Sequence, residues 1–249
     1  RGWVLPCRPM VADKLVLAVT AVLLRGALVV GLAACTDNRA EFYPLEPGRW
    51  WYFRTQTTIL DEHSEQRFIV SNLGQGERDG KPIFIQRQST GRDVYISRDP
   101  EGAKRVGVGR GAGRKIETDE PILILPANPA LGDTWSTDTR LTLIESRTFA
   151  RQDKLRGRTL PLRLSMSIAA TNDTVRVPAG QFDGCLRVEG TGTRQVRTDR
   201  GNASAQVEVT HLEWYAPGIG LVKSVRSETS ESPFLKAGEY KQVLLQFER

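Results

Sequence analysis

Beyond residue 48, apolar residues recur at every second position through most of the chain, the spacing of a strand with one buried face. The clearest case is Leu160, Leu162, Leu164, Met166 and Ile168, which alternate with polar or small residues. Trp50-Trp51-Tyr52-Phe53 is rich in strand-favouring aromatics and continues through Thr55, Thr57 and Ile59. Phe68, Val70 and the run PIFIQ at 82–86 repeat the theme, followed by Val175/Val177, Leu186/Val188, Val207/Val209, 221–225 and 243–247. Turn residues stand between these runs: Asp79-Gly80, Asp99-Pro100-Glu101-Gly102, Pro126-Ala127-Asn128-Pro129, Pro178-Ala179-Gly180 and Pro217-Gly218. Only 146–156 is predicted to be helical. The pattern predicts a mainly β fold, an antiparallel meander forming a curved sheet, half-barrel or barrel in one domain over 49–249. With one face packed and the other wet, the sheet must close on itself, curl over a helix or stack on a second sheet. Alternation alone leaves that choice open.

The N-terminal segment follows a different pattern. Residues 10–34 have a short charged start (Asp13, Lys14), apolar runs at 15–24 and 26–34 split by Arg25, and a small-residue end. That is the layout of a secretory signal peptide. A permanent span over 15–34 would be just long enough to cross the bilayer. It would also place Arg25 near the bilayer centre, at about 2.5–3.5 kcal/mol on insertion scales. The end of the run, Leu32-Ala33-Ala34-Cys35, resembles the bacterial lipobox. The resemblance implies that diacylglycerol is attached to the Cys35 thiol, that the signal peptide is cut between Ala34 and Cys35, and that the new amino group is acylated, palmitate being a typical chain. Small residues let the chain enter a peptidase in extended form, and the thiol supplies the nucleophile for the thioether. Two or three acyl chains, at about 0.8 kcal/mol per buried methylene, anchor stably where one does not. Arg25 departs from the pattern, in which the apolar core is uninterrupted. Thr36, rather than Asp, follows the cysteine, which by the same resemblance implies sorting to the outer membrane, facing the periplasm. Residues 1–9 do not fit an export signal and are expected to be upstream read-through, with Met10 the better start. Residues 35–48, polar and containing prolines, are expected to be the lipidated cysteine and its tether.

In the C-terminal half, VRVPAGQFDGCLRV (175–188) and WYAPGIGLVK (214–223) resemble uncharacterised TapB-like lipoproteins, as does Pro44-Leu45 with Gly48-Arg49-Trp50-Trp51-Tyr52. The resemblance implies β architecture and no particular chemistry. In residue terms, PAG turns the chain between two strands with Phe182 capping the turn. Pro217-Gly218 and Gly220 suit a second tight turn, with Trp214 and Tyr215 as packing anchors.

Composition narrows the function classes. The 249 residues, 39% hydrophobic and 26% charged, belong to an ordinary globular chain rather than a collagen, a disordered tail or a polytopic membrane protein. Of 35 basic and 29 acidic residues, Arg1, Arg8, Lys14, Arg25 and one acid, Asp13, lie in the first 34; the other 31 and 28 leave a net charge of +3. The arginines are scattered, with no basic stripe interleaved with aromatics, so no nucleic-acid partner is expected. Of the cysteines Cys7, Cys35 and Cys185, only the last lies in the body, so a disulfide framework there is excluded. Cys185 is expected to be a small buried hydrophobe. His63, in a polar turn, and His211, within a strand, lack the close-spaced partners of a zinc site. No G-x-S-x-G elbow occurs, and Asp61, Glu62 and Glu65 are expected to be solvated. The glycine-rich RVGVGRGAGRK at 105–115 fits neither G-x-G-x-x-G nor the Walker pattern. Arg105, Arg110, Arg114 and Lys115 in it could contact anionic lipid or polymer.

These readings converge on an envelope lipoprotein attached to the membrane through Cys35, with no catalytic residue, metal or cofactor expected. Two roles remain for the β domain. One is a binding module for a hydrophobic or amphiphilic ligand; the other is a structural or assembly partner of an envelope complex. An enzyme stands third. A cavity open to solvent would favour the first, and a filled core with a flat exposed patch the second.

Overall fold

A computed structural model describes residues 41–59, 62–78, 80–110, 120–146, 160–197 and 204–248. The chain divides into 1–39 and a unit from 40 to 249, of which the second holds every described element. The signal-like run, Cys35, Asp61, Asp79, residues 111–119 and all but the first residue of the predicted helix 146–156 lie outside the described residues.

The strands are Trp50–Ile59 (β1), Glu62–Arg78 (β2), Lys81–Gln88 (β3), Arg92–Asp99 (β4), Gly102–Arg110 (β5), Ile122–Pro126 (β6), Thr134–Leu141 (β7), Glu145–Ser146 (β8), Leu160–Val177 (β9), Gly180–Arg197 (β10), Ser204–Ala216 (β11), Gly220–Thr229 (β12), Leu235–Lys236 (β13) and Gly238–Glu248 (β14). Twelve form one antiparallel sheet in the order β6-β5-β4-β3-β2-β1-β14-β12-β11-β10-β9-β7; β8 and β13 pair separately. The first strand thus pairs with the last, Trp51 opposite Phe247 and Thr57 opposite Tyr240. The sheet curls into a barrel that is nearly closed. Its two free edges, β6 and β7, approach at a seam where the Thr137 hydroxyl donates to the Leu123 carbonyl at 3.4 Å.

Alternation sets the two faces. On β9, Leu162, Leu164, Met166 and Ile168 are buried while Arg163 and Ser165 between them are exposed. On β11, Val207 and Val209 are buried between exposed Gln206, Glu208 and Thr210. On these two strands the inward positions are apolar and the outward ones charged or hydroxylated, the reverse of a lipid-embedded barrel, which carries its apolar band outside. The outer face of β9 and β11 is built for water.

One end of the barrel is closed by chain ahead of β1. Of the stretch expected to be a tether, residues 41–48 are built into the barrel. Leu45 is buried against Ile96 and Ala103. The Asn72 amide donates to the carbonyls of Pro44 and Glu46 at 3.2 and 3.1 Å and accepts from Gln86 Nε2 at 2.9 Å, while the Tyr43 hydroxyl donates to Gln86 Oε1 at 3.1 Å. Gly218 N–H donates to the Glu41 carbonyl at 2.8 Å, and Arg98 pairs with Glu41 and donates to the Tyr43 carbonyl. Gly220 is needed here: its φ is +94°, and a Cβ would lie 3.2 Å from Pro44 Cδ. The β9–β10 hairpin closes the same end. Its tip returns to β14, with Ala179 N–H donating to the Leu244 carbonyl at 3.1 Å, and Val175, Val177 and Phe182 join Trp51, Phe53 and Leu244 in one cluster.

Toward the other end, a corner after β7 is held by Glu228. This fully buried carboxylate accepts the backbone N–H groups of Thr142, Leu143 and Ile144 at 2.9–3.1 Å and the Arg226 Nε at 2.9 Å. Arg226 in turn donates to the Arg140 carbonyl at 2.9 Å. Gly238 lets the corner sit down, since a Cβ there would lie 2.5 Å from the Leu143 carbonyl oxygen.

Candidate functional site

The barrel encloses a cavity of about 390 Å³. This is within the usual range for small-molecule sites, roughly 300–1,000 Å³. One wall is apolar and aromatic, from Trp51 and Phe53 of β1 and Phe68 and Val70 of β2, with Leu164 and Met166 of β9 also lining the space. Ile122, Leu123 and Ile124 line it at the seam. The rest is polar. β3 presents Gln86 and Gln88, β4 Arg92, β5 Arg105, β12 Arg226 and β14 Gln242. Arg92 is exposed, so the lining reaches solvent there, whereas Arg105 is half-buried.

β11 supplies a stripe of titratable groups. His211 Nε2 lies 3.0 Å from Glu213 Oε1, and Glu213 Oε2 accepts the Tyr215 hydroxyl at 2.8 Å. Tyr43 packs beside Tyr215 with ring centroids 6.5 Å apart. Burial pushes the Glu213 carboxyl up, but the charge and hydrogen bond of His211 and the bond from Tyr215 together outweigh it and hold the group below its ordinary value. Burial, reinforced by Glu213, raises both tyrosine hydroxyls well above theirs. The stripe is therefore a carboxylate fixed in its charged form with a histidine oriented on it. His211 Nδ1 is buried without a hydrogen-bond partner.

Of the residues weighed from the sequence, His211 reaches the cavity and His63 does not. His63 lies within β2 rather than in a turn, exposed, with Nδ1 3.0 Å from the Thr58 hydroxyl. Its neighbours are polar because both faces of the strand are wet there, and that imitates a turn. Glu62 and Glu65 are on the same exposed stretch, Glu65 pairing with Arg67 at 2.9 Å. Arg105 faces the cavity, and Arg110 ends β5 exposed. Cys185 is fully buried, and burial, with Asp173 and Asp183 adding, pushes its thiol up to about 11. Phe182 belongs to β10 and packs on Phe247 at 5.9 Å instead of capping the turn. Trp214 and Tyr215 anchor opposite faces. Tyr215 points inward, and Trp214 lies under Lys223 Nζ at 4.4 Å and donates to Asp173 at 3.2 Å. Among the described residues no group of His, Cys, Asp and Glu is arranged to hold a metal ion. Gln86, Arg92, Glu213 and Arg226 were not singled out from the sequence. The available signal was a polar residue on the phase of the buried positions, as with Glu213 two before Tyr215.

No protein-family model and no curated protein matches the chain. Two solved structures resemble it. One is a candidate exported protein of Bacteroides fragilis with a YmcC-like fold, 16% identical, matched over 84% of this chain and 100% of its own, with a TM-score of 0.43. The other is a candidate lipoprotein of Parabacteroides distasonis, 15% identical, matched over 84% and 99%, with a TM-score of 0.34.

Proposed function

We propose that this chain is an envelope lipoprotein, anchored through acyl chains on Cys35, whose barrel binds a hydrophobic or amphiphilic ligand in its lumen. The observation that carries the ligand reading is the interior cavity. A barrel of about eight strands can fill its centre with side chains, whereas this sheet has twelve. Here the inward set mixes aromatics with amides and guanidiniums around open space. The exterior gives less support to a purely structural role. Among the described residues the large exposed apolar side chains are Ile69, Leu73 and Leu131, and three such residues do not make the broad patch an assembly surface needs.

The anchor reading is supported by Leu32-Ala33-Ala34-Cys35 at the end of an apolar run. Outer-membrane sorting follows from Thr36 by resemblance, and the TapB-like resemblance stands on its quoted residues. One measurement tests anchor and ligand together. Native mass spectrometry of the envelope-extracted chain should show a mass beginning at Cys35 plus diacylglycerol and acyl additions, and a further non-covalent mass lost on collisional activation. A chain whose Cys35→Ser form still pellets with vesicles and keeps its leader would overturn the anchor. A chain that always flies without the extra mass, even after exposure to envelope lipid extract, would overturn the ligand.

A further inference from the structure

The large exposed apolar side chains among the described residues, Ile69, Leu73 and Leu131, share one half of the barrel. Phe68 and Val70 line the lumen, so Ile69 between them points out, in register with Tyr52 near the start of β1. Leu73 follows buried Asn72, whose N–H donates to the Arg49 carbonyl at 2.9 Å and whose carbonyl accepts from the Gly48 N–H at 3.0 Å. Leu131 lies in the loop between β6 and β7. The Ala127 N–H of that loop donates at 3.0 Å to the carbonyl of Glu101, in the β4–β5 turn. Arg98, at the foot of the same turn, pairs with Glu41 at 2.6 Å. All three apolar side chains therefore lie toward the end closed by 41–48. The lumen reaches solvent beside Arg92, which pairs in register with Arg110 at the opposite end. At that end β2 begins with the exposed polar run EHSEQR, 62–67.

Covalent reach gives this half its neighbour. Six residue steps separate Cys35 from Glu41, and they span at most about 22 Å. From their hairpin at the closed end, β9 and β10 run 18 residues each. At the usual strand tilt that is about 40–50 Å along a barrel axis. A bilayer holding acyl chains on Cys35 thus lies within reach of the closed end, and the far end cannot be turned down onto it. Three apolar side chains are too few to capture a free partner. A tethered domain needs less, because the tether makes the contact intramolecular and raises its effective concentration. Tyr52 adds an amphipathic ring of the type enriched at membrane–water interfaces.

We infer that the closed end of the barrel is a membrane-contact face. Its occupant is the phospholipid surface of the bilayer that holds the anchor. Leu73 and Leu131 enter the interface, Ile69 and Tyr52 lie at its edge, and the lumen opens away from the membrane. This rests on the reading of Cys35 as the anchor and adds the face that meets the lipid.

The test uses the full chain isolated from envelopes and reconstituted in phosphatidylcholine–phosphatidylglycerol vesicles. An environment-sensitive fluorophore is placed on Leu73→Cys, on Leu131→Cys or, at the opposite end, on Glu62→Cys, three exposed positions. The chain without an added cysteine supplies the blank. A doxyl group near the lipid headgroup should quench the first two labels at least about two-fold and the third by less than about a tenth, as expected of side chains seated at the headgroup–acyl boundary. Ile69→Cys should be quenched as well, and adding Leu73→Asp/Leu131→Asp should abolish that quenching. Circular dichroism checks each fold. If the combined variant does not fold, the single labels decide. Labels at 73 and 131 that stay unquenched on chains floating with the vesicles overturn the contact face and leave the anchor standing, as does quenching at 62 that equals theirs. Labels hidden from aqueous iodide yet out of reach of the doxyl lipid place another protein chain on the face and overturn it too. A chain that keeps its leader or carries no acyl mass overturns the anchor itself, and this inference with it.

Discussion

Among the described residues, Glu228 is a fully committed side chain. Its carboxylate has no solvent exposure, and its oxygens are taken by backbone N–H groups of the corner after β7 and by Arg226. A glutamine in its place would turn an NH₂ group toward N–H donors and leave Arg226 without its counter-ion. We expect Glu228→Gln to cost about 3–5 kcal/mol, the usual loss when one partner of a buried pair is removed. Urea denaturation would show this, and a loss below about 1 kcal/mol would mean that the corner holds without the charge. Cys185 is committed in the opposite sense, as an apolar filler. Its thiol sits at about 11 through burial first and the Asp173 and Asp183 charges second. At pH 8 very little thiolate is present in the folded chain, so iodoacetamide should modify Cys185 at least about a hundred-fold more slowly than in urea. Peptide mass mapping resolves it from Cys7 and Cys35. Fast alkylation of the folded chain would show that this part of β10 opens readily.

At the scale of elements, the segment 41–48 and the strands that grip it form one unit. Asn72 is its pivot, buried and bonded to Pro44, Glu46 and Gln86. Asn72→Ala should lose about 2–4 kcal/mol by urea denaturation, since two carbonyls and an amide lose partners. Limited proteolysis should then cut near residue 45 in the variant before it cuts the wild type. If cleavage is equally slow in both, packing of Leu45 alone seats the segment. Local signals announced the strands themselves. The Leu160–Ile168 alternation and the turns at Pro178-Ala179 and Pro217-Gly218 lie where hairpins occur, because turn chemistry and a two-residue period are properties of neighbouring residues. The segment 41–48 was hidden for the opposite reason. Its polar, proline-containing composition matches a linker, and its hydrogen-bond partners Asn72, Arg98 and Gly218 are all distant in sequence.

At the scale of the whole molecule, the proposed ligand site is the space the strands enclose. Val70 lines that space from β2. Val70→Trp should fill part of it, leaving the urea midpoint within about 1–2 kcal/mol of wild type while removing the retained ligand mass. Full retention of that mass would place the ligand elsewhere. Closure of the sheet was beyond reach of the sequence, because the pairing of β1 with β14 joins chain ends and has no local mark. The lumen was equally hidden. Gln86, Arg105 and Arg226 look like solvent residues in a simple alternation, and only a curled sheet gives an inward polar side chain somewhere to be. Charge in the lumen thus disguised itself as surface charge.

The approach of β6 to β7 has a mechanical meaning. Each other pair of neighbouring strands in this sheet is joined by a main-chain ladder; among the described residues the hydrogen bond across this line is that of the Thr137 hydroxyl to the Leu123 carbonyl. Opening is expected to concentrate there, and Ile122, Leu123 and Ile124 are the residues it would uncover. In deuterated buffer, amides of 122–126 should trade their protons ahead of those of β10 and β11. A guest too wide for the rim could slip in sideways, through a zip that the rest of the garment holds shut.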